Sequence, residues 1–115
     1  AQARQFRERT GKPYLIQSLV GDPAGAARTL YTYLMAQGQP IFPEPKRLQV
    51  NTPQGRAIAD LFRQMTAEGL GTSNMDTPAA IAAFMNGEGG VYPTGTWMIG
   101  QFETEEKTAG RPLYQ

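Results

Sequence analysis

The 115 residues contain no cysteine, no histidine and a single tryptophan. The lack of cysteine excludes disulfides, zinc–thiolate centres and thiol nucleophiles. It suits an exported bacterial protein as well as a cytosolic one. The lack of histidine removes the commonest general base and metal ligand. No apolar run approaches the ~18 residues that a membrane-spanning helix needs. Charge of one sign is also missing: 11 basic against 10 acidic residues leave a net +1. No strong field would draw nucleic acid or an anionic membrane, so no nucleic-acid partner is expected. What remains is 40% hydrophobic and 18% charged, with 13 glycines and nine prolines. These proportions are ordinary for a globular chain, and the length is that of one domain.

The prolines and glycines punctuate the chain. Thr52-Pro53 and Thr77-Pro78 each join a capping side chain to a proline that tolerates the first helical turn, and Asp22-Pro23 does the same. Gly11, Gly38 and Gly69 sit where helices should stop. The pattern predicts helices at 2–10, 23–37, 53–68, 78–86 and 96–102. Their apolar faces are expected from Ala3 and Phe6; from Ala27, Leu30, Tyr31 and Leu34; from Ile58, Leu61, Phe62 and Met65; from Ile81, Phe84 and Met85; and from Met98, Ile99 and Phe102. Short apolar or alternating runs predict strands near 13–18, 47–50, 89–93 and 111–114. Gln39 to Lys46, with three prolines, reads as a loop. The expected fold class is therefore α/β: a small mixed sheet with helices on it. Arg4, Arg7, Arg9 and Lys12 read as a solvated basic face.

Catalytic chemistry finds no foothold. Asp60, Glu68, Asp76, Glu88, Glu103, Glu105 and Glu106 supply carboxylates, but nothing in their spacing sets two of them across a site as a glycosidase needs. Gly87-Glu88-Gly89-Gly90 lacks the context and the Lys-Ser/Thr of a phosphate loop. A non-enzymatic chain without cofactor or metal is expected.

The stretch from Ala79 to Trp97 carries a pattern of its own. A short apolar helix ends at Phe84-Met85-Asn86-Gly87; a small-residue segment follows; and about eight residues after Gly87 comes Gly95-Thr96-Trp97. Phe-x-Asn-Gly followed by Gly-x-Trp resembles the extracellular solute-binding proteins of bacterial ABC importers, in particular their sugar-binding branch. The order upstream, with Val50-Asn51-Thr52-Pro53 opening a long helix that closes at Gly69, fits the same family. One departure is that Glu88-Gly89-Gly90-Val91 stands where the family commonly has an apolar Ala-Met pair.

The resemblance covers residues from about Pro13 to Gln115. It implies a piece of the C-terminal lobe of a longer, two-lobed, periplasmic-binding-protein-like molecule. Such a protein captures a carbohydrate or related polar solute between its lobes. It works in the periplasm or outside the cell, in some cases lipid-anchored, and delivers the solute to permease subunits in the membrane. Trp97 then corresponds to the ligand-stacking aromatic, Gly95 and Thr96 flank it at a helix start, and Asp22 lies in a strand-to-helix loop that contacts ligand. Each has a plain structural alternative: Trp97 as a core anchor of a non-catalytic interaction or structural domain, Gly95 and Thr96 as a tight turn, Asp22 as a helix cap. A lobe cut from its partner would expose apolar surface, so a dimer or larger assembly is also expected.

Overall fold

Prolines stand at the starts of three of the five α-helices of the described residues. The computed structural model describes residues 1–21 and 23–112. Helix α1 spans Gln2–Thr10, α2 Pro23–Ala36, α3 Pro53–Ala67, α4 Thr77–Met85 and α5 Ile99–Ala109, the last entered through a 3-10 turn at Thr96–Met98. Thr52 caps α3, its hydroxyl accepting from the Gly55 amide at 3.1 Å. The cap of α4 is Asp76, one residue before the expected Thr77, with Oδ1 accepting from the Ala79 amide at 2.9 Å. Gly11, at φ 70°, ends α1 in the left-handed conformation that favours glycine.

The expectation of an α/β fold with a mixed sheet is overturned. Among the described residues 55% are helical, only 6% lie in strand or bridge positions, and there is no sheet. The run at 13–18 is extended but makes isolated parallel bridges: Leu15 to Gly71, Leu15 to Val91 and Ser18 to Met75. The run at 89–93 contributes one bridging residue, Val91, because Gly89 and Gly90 favour no strand and Pro93 has no amide to donate. The strand expected at 47–50 does not form; Arg47 instead closes a turn with Glu44. Arg111 and Pro112 are irregular, and Leu113 and Tyr114 lie outside the described residues.

Among the described residues, packing gathers into two clusters. In one, Ile16 meets Ala80 and Ala83, with Met75, Phe84 and Tyr92 around them. In the other, Leu34 of α2 meets Ile41 and Ile58, with Leu30, Tyr33, Val50 and Phe62. The buried face of α2 therefore runs through Leu30, Tyr33 and Leu34; Tyr31 and Ala27, expected inside, are exposed, as are Leu61 and Ile99. Tyr33 meets Phe62 edge-on at 5.2 Å, a favoured aromatic arrangement. Truncating the fully buried Leu34 or Ile58 to alanine should cost about 2–5 kcal/mol.

The basic face of α1 does more than meet solvent. Arg4 grips Glu68 through two hydrogen bonds of 2.7 and 2.8 Å, Arg7 donates to the Gly69 carbonyl at 2.7 Å, and Lys12 donates to the Gly87 carbonyl at 2.7 Å. Two cations thus sit at the C-terminal ends of α3 and α4, where the helix dipole favours positive charge. The Arg4 guanidinium, with help from the Gln64 amide, holds the Glu68 carboxyl down at about 2. A depressed carboxyl stabilises the fold above its ordinary pKa, and that contribution is lost as the acid form returns. Docking of α1 should therefore weaken as the pH falls from 4.5 to about 2. Proteolysis near Gly11 should report it as a rising cleavage rate, and Glu68→Gln should abolish that pH-dependent increment while raising cleavage at neutral pH.

Candidate functional site

A cavity of about 490 Å³ opens between the first third of the chain and its last third. Four segments wall it, one of them α4 with Thr77 and Ile81. Gln17 and Ser18 come from the extended run; Gly25, Arg28, Thr29 and Thr32 form one stripe of α2; and Tyr92 to Gly95 run into Trp97 and Met98. The volume lies within the range of small-molecule sites. Hydroxyls of Ser18, Thr29, Thr32, Thr77 and Thr94 surround apolar surface from Ile81, Tyr92 and Met98. Arg28 is the only charged residue among the described lining.

Trp97 lies at this cavity and not in a core: 64% of it is exposed. Its ring folds back over Gly95, so that a β-carbon added at Gly95 would fall inside the indole. Gly95 has ordinary extended backbone angles, φ −102° and ψ 170°. Glycine is needed here for space and not for conformation. The Arg28 guanidinium stands 5.1 Å from the indole centroid. That cation–π contact is worth ~0.5–1 kcal/mol at an exposed site. It orients the indole from the α2 side while Gly95 accommodates it from its own turn.

The four residues singled out from the sequence are not all together. Trp97 and Gly95 share the cavity. Thr96 faces a shallower neighbouring one of about 320 Å³, with Phe84, Ile99 and Phe102; Tyr92, Thr94 and Gly95 line both. Asp22 lies outside the described residues.

Several lining residues went unread in the sequence. Gly25, Arg28, Thr29 and Thr32 fall at i, i+3, i+4 and i+7, a small and polar helical stripe that was legible as a face. Gln17 is a lone amide within an otherwise apolar run. Its residue surface is only 4% exposed, and neither side-chain amide atom meets a hydrogen-bond partner among the described residues. Its backbone, in contrast, is held on both sides by one hydroxyl: Thr72 Oγ1 accepts from the Gln17 amide at 3.0 Å and donates to the Gln17 carbonyl at 3.2 Å.

Among the described residues no group of three or more acidic residues is placed to hold a metal ion, and no helix is long and apolar enough to cross a membrane. No family model matches the chain, and neither does any curated protein or solved structure.

The fit of the indole against Gly95 is open to a direct test. Gly95→Ala should push the ring off its turn, changing the emission maximum of the single tryptophan and its quenching by acrylamide while leaving the far-ultraviolet helix signal intact. Unchanged emission and quenching would show that the ring does not rest on Gly95 in solution.

Proposed function

We propose that this chain belongs to the substrate-binding component of an ABC importer, and that the cavity beside Trp97 receives a carbohydrate or related polar solute for delivery to the membrane permease. The observation that carries the reading is an exposed indole at the mouth of a cavity ringed by hydroxyls. A pyranose has an apolar face of C–H groups that stacks on an aromatic plane, and hydroxyl rims that exchange hydrogen bonds with polar neighbours. The motif Phe-x-Asn-Gly with Gly-x-Trp points the same way. Binding of this kind needs no covalent step, no metal and no cofactor.

The scaffold under this proposal is helical and does not depend on a sheet. In a longer protein the chain would supply one wall of the binding cleft, outside the cytoplasmic membrane, and a facing segment the other. By itself the chain would leave that wall bare and so associate into dimers or larger species. The alternative of an interaction domain anchored on a core tryptophan is disfavoured by the exposure of Trp97.

Stacking of one sugar face on the indole should be worth about 1–2 kcal/mol. Trp97→Ala should accordingly weaken solute affinity about tenfold or more. The melting temperature should move little, since the ring lies outside both packing clusters. Calorimetric titration and thermal unfolding on the same variant decide the matter: a large loss of stability with unchanged affinity would defeat the proposal.

A further inference from the structure

A buried amide with no partner is costly, because its donor and acceptor have lost water and gained nothing. Gln17 is in that state, and it lies on the wall of the cavity. Its backbone is fixed by Thr72, and its neighbours on the chain are fixed too: the Ile16 amide donates to the Val91 carbonyl at 2.8 Å and the Leu19 amide to the Met75 carbonyl at 3.1 Å. The side chain therefore cannot leave by a shift of the main chain. Its last torsion, a soft rotation between sp³ and sp² carbons, is the movement that would turn the amide plane toward the cavity.

We infer that Gln17 is the residue that selects the solute, and that it reads a neutral vicinal diol. This rests on the carbohydrate reading above. A primary amide presents one acceptor, Oε1, beside two donors on Nε2. Two adjacent ring hydroxyls match this pair, one donating to Oε1 while the other accepts from Nε2. A carboxylate offers only acceptors and an ammonium only donors, so neither satisfies both atoms. Ser18, Thr29 and Thr77 line the same cavity; the hydroxyls of Thr29 and Thr77 already donate, to the Gly25 carbonyl and to Ser18 Oγ, and offer the ring their acceptor lone pairs. The free protein thus carries an unmet amide, and the bound solute meets it.

The inference separates stability from affinity at one position. Gln17→Met keeps the length of the side chain and removes both polar atoms. Without ligand, this variant should melt about 4 °C higher than the natural chain, the shift expected when an unmet buried group is removed from a domain of this size. The natural chain should be stabilised by maltose or methyl α-glucopyranoside, and less by a dideoxy analogue lacking one adjacent hydroxyl pair. Gln17→Met should bind those sugars about ten- to a hundredfold more weakly.

A lower melting temperature for ligand-free Gln17→Met would show that the amide is satisfied in the free protein, by water or by the fold, and would overturn the inference. Equal sugar affinity in the two chains would overturn it as well, while leaving the carbohydrate reading in place. If none of the sugars stabilises the natural chain, that reading falls and the inference falls with it.

Discussion

Backbone hydrogen bonds from one extended segment, Tyr14 to Val20, hold together parts of the chain that no long ladder joins. Amides of Tyr14 and Leu15 reach the Leu70 carbonyl at 2.9 and 3.0 Å, the Leu15 carbonyl receives the Thr72 amide at 2.9 Å, and the Val91 amide returns to the Tyr14 carbonyl at 2.8 Å. The end of α3, the approach to α4 and the turn leading to Trp97 all meet on this one strip. An unpaired buried amide or carbonyl costs about 1–3 kcal/mol. The strip is therefore strongly bound to its neighbours even though each pairing is short. Ile16, fully buried, projects from it into the α4 cluster, so polar pairing and apolar packing select the same placement.

Most helix bounds were legible because their signals are local; the exception is the last helix, expected to end at 102 and running to Ala109. A proline after a capping side chain and a glycine at a left-handed stop need no knowledge of the rest of the chain, and α1 and α3 fall within a residue of the bounds read from them. The sheet was not legible because strand pairing is a relation between distant segments. Leu15-Ile16 is apolar enough to be a strand, yet its partners offer single pairs: Gly71 beside the end of α3, and Val91 after two glycines. Face assignment on α2 failed for a related reason. Ile41 folds back from the proline-rich loop against Leu34, which turns Tyr33 inward and leaves Tyr31 outside.

For the site, the motif around Gly95 and Trp97 was visible, and the opposite wall was not. Sequence spacing shows that Gly25, Arg28, Thr29 and Thr32 share a helix face, but not what that face looks upon. Only the tertiary approach of α2 to the turn after Pro93 places Arg28 over the indole. Gln17 was harder still. An amide in an apolar run reads as an interruption, and its meaning emerges only once its surroundings are known to offer it no partner.

The double contact between Thr72 and the backbone of Gln17 has a consequence for folding fidelity. Leu15, Ile16 and Gln17 are all buried, so the usual inside–outside alternation cannot tell the extended strip how far to slide along its neighbours. A slip of one residue would, however, put the Gln17 amide where Ile16 packs in the α4 cluster, so Ile16 resists it. Thr72 adds to that resistance, since a slip of one residue would turn the N–H and C=O it now holds away from its hydroxyl. It acts as a register pin. Together with Ile16, one threonine outside the cavity lining thereby helps to keep Gln17 on the cavity wall.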